Sequence, residues 1–391
     1  MPASKPRCTR QKKITLVAGE ASGDLLGAAL ISELSKRYPD ARFSGIGGRH
    51  MRAAGMDTWW DCEELAVFGL FEVLSHFPRL YKIRRELRTR LLADKPDIFI
   101  GIDAPDFNLG LETALKRSGI RTVHYVSPTV WAWREKRVRK IARAVDLVLC
   151  LFPFEPDFYR GHGVSAVYVG HPMADQIAGN SDPEEARNKL GIKAAGKLVA
   201  LLPGSRAGEV SKLAGPMIEA AGIIAGKMPA VRFVSAMANA KVRTLFESAM
   251  QQEGTPAIQL VENDSRRVIA ASDVVMVASG TAALETMLVN RPMVVSYRVA
   301  SSTYHLAKTL KLVKADHVSL PNILAGETLV PELLQQDANG PKLAQAVLDW
   351  FEDSDRRTAL HQRFSEMNAD LSCNAGEKAA AAVSELLSRP S

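Results

Sequence analysis

Ile98-Phe99-Ile100-Gly101-Ile102-Asp103-Ala104-Pro105-Asp106-Phe107-Asn108 carries a short apolar run straight into a turn that holds two carboxylates. Ile98, Phe99, Ile100 and Ile102 predict a strand covered on both faces, as in parallel sheets packed between helices. Pro105 cannot extend a central strand and biases Ala104 away from helix, so the chain turns directly after Asp103. Ligands of open α/β sheets gather outside the carboxyl ends of the strands, which puts Asp103 where a cleft is expected. Asp106, Asn108 and Gly110 continue the turn chemistry. A plainer reading makes Asp103 or Asp106 the cap of a helix beginning near Leu109. Spacing alone leaves cap and catalyst both open.

The same pattern extends outward. Ile14 to Ala18 is an apolar strand followed by the loop Gly19-Glu-Ala-Ser-Gly-Asp24 and an amphipathic helix. Gly19, Glu20, Ser22 and Gly23 there can approach an anion or a sugar. The spacing is neither G-x-G-x-x-G nor a Walker A loop. Thr122 to Val126, Asp146 to Leu151 and Ala166 to Val169 read as further strands. Beyond the polar segment Gly179 to Glu185, strands are expected at Leu198–Leu202, Val231–Ser235, Ile258–Val261, Val274–Val277 and Met293–Ser296, with helices between them. This alternation predicts two Rossmann-like, doubly wound α/β domains facing each other across a cleft. Boundaries are expected at 1–175, 176–345 and 346–391, with the C-terminal helices packing back on the first domain.

At 391 residues, 47% hydrophobic and 24% charged, the chain has material for two soluble cores. No apolar run approaches the roughly 20 residues a bilayer span needs, and the basic start lacks an apolar signal region, so a cytoplasmic location is expected. Cys8, Cys62, Cys150 and Cys373 are scattered and read as free thiols, without metal-ligand spacing. The net charge of +7 points to an anionic partner: nucleic acid, nucleotide phosphates or an acidic membrane surface.

Two stretches bear on that choice. In Ser127 to Lys140, Trp131 and Trp133 lie among basic residues, but no nucleic-acid-binding signature accompanies them, and no nucleic-acid partner is expected. From Thr58 to Lys95, Trp59, Trp60, Val67, Phe68, Leu70, Phe71 and Phe77 precede a helix in which Leu80, Ile83, Leu87 and Leu91 share one face. That helix reads as core-facing with a solvated charged side, or as a membrane-contact surface. In the second case Phe68, Leu70, Phe71 and Phe77 enter the lipid interface while Arg79, Arg84, Arg85 and Arg88 meet anionic headgroups.

The second half carries its own candidate chemistry. Ala278 to Val289 runs from a strand through Ser279, Gly280 and Thr281 into a helix, whose N–H groups and positive end suit a diphosphate. Glu285 is one residue too far along for a capping box, so it reads either as a ribose ligand or as a solvent-exposed side chain. Arg206, after Gly204 and Ser205 at another strand end, can fork onto diphosphate oxygens or form a surface salt bridge. Ser319-Leu-Pro-Asn322 adds an amide after a turn.

Taken in order, the motifs VAGEASGD, EELAVFG, GIDAPDFN, HYVSPTVWAWR, DLVLCLFPFE, LLPGSR, ASGTAALE and SLPNILAG, from Val17 to Gly326, resemble the lipid-A-disaccharide synthase family. The resemblance implies the two-domain GT-B fold. It also implies transfer of a sugar from UDP-2,3-diacylglucosamine to the 6-hydroxyl of 2,3-diacylglucosamine 1-phosphate. By the same resemblance Asp103 is the general base and Arg206 and Asn322 are essential site residues. Gly204, Ser205, Ser279, Gly280, Thr281 and Glu285 then lie on the UDP side, and Gly19, Glu20, Ser22, Gly23 and Asp106 on the acceptor side. No cofactor or bound metal is expected, and the partners are the two acylated sugars and the cytoplasmic surface of the inner membrane, with a homodimer left open. The rivals are another GT-B enzyme on a UDP-N-acetylhexosamine, such as a peptidoglycan glycosyltransferase or a 2-epimerase, and a nucleic-acid-binding protein.

Overall fold

A computed structural model describes residues 11–65, 70–128, 138–177, 181–192, 196–251, 254–298 and 317–390, with backbone alone over 70–77. The chain forms two packed units, Met1–Pro172 with Leu371–Ser391, and Met173–Asp370.

In the first unit β1 (Lys13–Ala18), β2 (Arg42–Gly47), β3 (Asp57–Asp61), β4 (Ile98–Ile102), β5 (Arg121–Tyr125), β6 (Leu147–Cys150) and β7 (Ala166–Tyr168) form one sheet. Its order is β3-β2-β1-β4-β5-β6-β7, and every neighbouring pair is parallel. All five residues of β4 are buried, as a central strand covered on both faces requires. The sequence reading missed β2 and β3. Glycines at 45 and 47 leave β2 without an alternating pattern, and β3 is an edge strand of half-buried tryptophans with a register shift opposite Gly45 and Ile46.

The second unit holds β8 (Leu198–Leu202), β9 (Arg232–Met237), β10 (Ile258–Glu262), β11 (Val274–Ala278), β12 (Met293–Tyr297) and β13 (Glu332–Leu334). This sheet is also all parallel, in the order β10-β9-β8-β11-β12-β13. Both sheets therefore wind outward in two directions from their first strand. The order reverses between β1 and β4 in one unit and between β8 and β11 in the other, and ligands of such sheets bind at the carboxyl ends flanking that reversal.

One local expectation is corrected. The helix after β4 is Pro105–Arg117, starting four residues before Leu109, because Pro105 is preorganised for a first helical position. Its capping residue is Ala104, in the left-handed conformation, so neither Asp103 nor Asp106 caps it. At the C-terminal end, helix Gly340–Glu352 packs on helix Ala207–Lys227 of the second unit, whereas Ala375–Ser388 packs on helix Ala21–Arg37 of the first. The return to the first unit comes at Leu371, whose carbonyl accepts from the His171 N–H at 2.9 Å.

Candidate active site

In the first unit the turns after β1 and β4 touch. A Cβ at Gly19 would collide with the Cβ of Ala104, so only glycine lets the two turns approach. Glu20 occupies the capping position of helix Ala21–Arg37 in extended conformation, and its Oε1 accepts from Ser22 Oγ at 2.5 Å. Gly23 is buried, facing Ala18 and Ile102.

Asp103 and Ala104 both have left-handed backbone, with φ of 53° and 43°. For residues with a Cβ such a conformation costs about 1–3 kcal/mol each and persists only where the surroundings hold it. Here the Asp103 N–H donates to the Tyr125 carbonyl at 2.8 Å, and Asn108 Nδ2 donates to the Asp103 carbonyl at 2.8 Å. Burial, reinforced by the charge of Glu20, pushes the Asp103 carboxyl up from the ordinary carboxylate range, against the opposing pull of the Ala104 N–H and His124. A half-buried carboxylate with raised proton affinity at a strand end is suited to taking a proton. Asp106 lies exposed on the first turn of the following helix.

In the second unit the carboxyl ends of β8 and β11 open onto a pocket of about 430 Å³. Gly204, Ser205, Arg206, Ser279, Gly280, Thr281 and Glu285 all line it. Gly280 has φ 154° and ψ −156°, a region open essentially to glycine alone. No side chain caps helix Thr281–Leu288. Of the first-turn N–H groups, that of Ala283 donates to the Gly280 carbonyl at 3.1 Å, and those of Thr281 and Ala282, residues of the pocket lining, are left at the positive end of the dipole. Arg206 is exposed, with Nη1 3.2 Å from Glu209 Oε1. Glu285 is not solvent-exposed: Oε2 accepts from Ser265 Oγ at 2.9 Å, and Oε1 lies 3.3 Å from Arg266 Nε.

The pocket also includes Ala236 to Ala238 and Asn263 to Ser265, which the sequence reading did not select. Their signal was available: both segments follow predicted strands, and Asn263-Asp-Ser265 is turn and capping chemistry, Asp264 Oδ1 accepting from the Arg267 N–H at 3.2 Å.

Asn322 is fully buried and outside the pocket lining. Its Nδ2 donates to the Val330 carbonyl and Glu332 Oε1, both at 2.9 Å, and its Oδ1 accepts from the N–H groups of Leu329 and Val330 at 2.9 and 3.0 Å. All four hydrogen-bonding positions of the amide are met inside the protein, and they tie it to the backbone of Leu329 and Val330 and to Glu332. Glu332, on β13, also accepts from the N–H groups of Val318 and Ser319 and from Ser319 Oγ. The Val318 carbonyl in turn accepts from Ser279 Oγ of the pocket at 3.0 Å.

Phe68 lies outside the described residues. Leu70, Phe71 and Phe77 lie on the backbone of helix Leu70–Asp94, their side chains outside the description. Farther along, Ile83, Leu87 and Leu91 are buried in a core cluster with Phe99, Leu111 and Leu115. Arg85 and Arg88 are exposed, Arg79 pairs with Glu64 at 2.7 Å, and Arg84 packs half-buried against Gly110. Trp131 and Trp133 lie outside the described residues. Among the described residues no helix is long and apolar enough to cross a membrane.

The family model for lipid-A-disaccharide synthetase matches residues 14–383. Relatives named lipid-A-disaccharide synthase include one from Xanthomonas campestris pv. campestris strain 8004, 52% identical over 97% of this chain and 87% of its own. Another, from Xylella fastidiosa strain 9a5c, is 52% identical over 96% of this chain and 98% of its own. Among solved structures, a UDP-GlcNAc 2-epimerase from Neisseria meningitidis bound to UDP-GlcNAc matches with a TM-score of 0.62 at 14% identity, over 96% of this chain and all of that one. A putative UDP-N-acetylglucosamine 2-epimerase from Listeria monocytogenes gives 0.62 at 14%, over 95% of both chains. These solved structures share the GT-B fold class. With a family match spanning both sheets and relatives at 52% identity, the chain belongs to the lipid-A-disaccharide synthetase family.

Proposed function

We infer that this chain is a glycosyltransferase of lipid A biosynthesis that joins UDP-2,3-diacylglucosamine to 2,3-diacylglucosamine 1-phosphate, giving the β-1,6 disaccharide 1-phosphate and UDP. The observation that carries the reading is the pairing of two unlike strand-end sites on a chain 52% identical to lipid-A-disaccharide synthases. One offers a carboxylate with raised proton affinity, the other an uncapped helix start beside Arg206. The acceptor's 6-hydroxyl gives its proton to Asp103 as its oxygen bonds to C1 of the donor sugar. The bond from C1 to the diphosphate breaks, and its electron pair leaves with UDP. Attack opposite the leaving group turns an α-linked donor into a β product, and one base suffices.

Charge growing on the departing diphosphate is assigned to Arg206 and to the N–H groups that begin helix Thr281–Leu288. Glu285, fixed by Ser265 and Arg266, is assigned to the ribose hydroxyls, and Gly19, Glu20, Ser22 and Gly23, with Asp106, to the acceptor side. Asn322 acts through the loop it holds rather than on the sugar. The 2-epimerases share the fold at 14% identity and carry no weight against the closer relatives.

The acyl chains argue for a peripheral position on the inner face of the inner membrane, since exposing each CH₂ to water costs about 0.8 kcal/mol. The exposed Arg85 and Arg88 support docking of that helix on anionic lipid. Mass spectrometry after incubation with the two acylated sugars tests the activity. A disaccharide 1-phosphate with stoichiometric UDP is expected; a 2-epimerised UDP-sugar would overturn the reading.

A further inference from the structure

Behind Asp103 an acid and an imidazole are sealed inside the first unit. Glu112, two turns into helix Pro105–Arg117, and His124, on β5, have no exposed side-chain surface, and Oε1 and Nδ1 are 2.7 Å apart. The pair lies over β4: Gly101 is His124's neighbour in the sheet, and a Cβ on Gly101 would collide with Glu112 Oε1. Asn108, one turn before Glu112 and also fully buried, would meet the same Cβ from its own side chain. Among the described residues Glu112 Oε2, His124 Nε2 and Asn108 Oδ1 have no hydrogen-bond partner.

Core packing avoids this arrangement. Burial pushes the Glu112 carboxyl up from its ordinary range against the opposing pull of His124, and apolar side chains of similar volume are often at least as stabilising as such a buried polar pair. Buried polar atoms left unpaired are few in native proteins and ask for a reason. What these three residues share is Asp103. Asn108 Nδ2 holds its carbonyl and thus the left-handed turn, and His124 opposes the rise in its carboxyl's proton affinity.

We infer that Asn108, His124 and Glu112 are positioning residues for Asp103: Asn108 locks the turn that aims the carboxylate, and the His124–Glu112 pair sets the field in which it exchanges its proton. The inference rests on the reading of Asp103 as the base. The groups bearing on that carboxylate are Glu20 from the turn after β1, His124 from β5, and the Ala104 N–H of its own turn, with Glu112 behind His124.

The test is the pH dependence of kcat/KM for purified Glu112→Gln, His124→Gln and Asn108→Leu, beside the parent and Asp103→Asn. Glu112→Gln keeps the shape and a hydrogen-bonding group against Nδ1 but removes the acid. The pull of His124 on the Asp103 carboxyl then weakens, and the acidic limb moves to higher pH by about one pH unit, a tenfold loss of carboxylate below the limb. KM for the UDP-sugar stays within twofold. His124→Gln is expected to move the limb the same way, and Asn108→Leu to lower kcat without changing UDP affinity. If the limb stays in place in Glu112→Gln and His124→Gln and kcat is within twofold in all three variants, the cluster is packing and the inference fails. If Asp103→Asn retains the parent's limb and turnover, the base assignment itself has failed. A limb abolished in Asp103→Asn but unmoved in Glu112→Gln overturns the cluster alone.

Discussion

The turns after β4 and β11 occupy the same place in two sheets of the same winding order, yet they are built from opposite materials. After β4 the chain forces two residues with side chains, Asp103 and Ala104, into left-handed backbone and half-buries a carboxylate near the charge of Glu20. After β11 a glycine takes the unusual conformation, and small residues open an uncapped helix start to a pocket. The first turn tolerates strain, and its burial and like charge raise a carboxylate's appetite for a proton. The second avoids side chains, which leaves N–H groups and room for an anion. One winding pattern thus supports proton chemistry in one unit and phosphate chemistry in the other, and the difference lies in a few turn residues.

The largest expected effect falls on the first turn. Asp103→Asn should lower turnover roughly 10²- to 10⁴-fold, since the amide keeps the shape but takes no proton. Near-parental turnover in a steady-state assay would remove the proton chemistry from this turn. The same variant makes a stability prediction. A carboxyl whose folded pKa is raised binds its proton better when folded, so stability is lost as pH rises from the unfolded pKa through the folded one. At neutral pH the charge is therefore a burden, and Asp103→Asn should melt higher than the parent. The gain should shrink toward zero below the ordinary carboxylate range, as thermal melts across pH can follow.

Next comes the second turn. Gly280→Ala places a Cβ in a conformation that excludes it, and a cost of about 1–3 kcal/mol corresponds to roughly 5- to 150-fold weaker UDP binding by calorimetry. Parental affinity would mean that the helix start does not hold the nucleotide. A smaller effect is expected at its support. Asn322→Ala strips the N–H groups of Leu329 and Val330 of their acceptor, each worth about 1–3 kcal/mol when buried and unpaired, so the melting temperature falls. UDP affinity should drop several-fold through Val318 and Ser279. A large loss of turnover with unchanged UDP affinity would place Asn322 with the acceptor instead.

How much of this could be read from residues differs between the turns in the same way. The apolar run Ile98–Ile102 and the proline at 105 located the first turn, and the small residues 279 to 281 the second. The seven residues read onto the UDP side do line one pocket. What local pattern could not reveal were long-range partnerships. Glu332 meets Asn322 only because β13 lies beside β12, and the three-residue β13 has too little sequence to announce itself. The saturation of Asn322 depends on backbone groups seven and eight residues later. The His124–Glu112 pair joins a strand to a helix across Gly101, a gap visible only once the register is known. β2 was hidden by glycines that serve close packing rather than pattern, since a Cβ added at Gly45 would collide with the Leu16 carbonyl.

The smallest effect is expected away from both turns. Arg85→Ala with Arg88→Ala removes exposed charge, each worth on the order of 1 kcal/mol near anionic lipid, so less protein should float with anionic vesicles at low salt. The difference from the parent should close at high salt, with turnover on detergent-dispersed substrate within twofold. Equal flotation of variant and parent at low salt would move the docking surface elsewhere.

The division of labour between the turns is tested most directly by titrating UDP into Asp103→Asn by calorimetry, on the preparation whose turnover has been lost. The account predicts the parent's dissociation constant within about twofold, because the nucleotide is held by groups of the second unit alone. A loss of UDP affinity comparable to the loss of turnover would contradict it, placing Asp103 on the nucleotide rather than on the acceptor's proton.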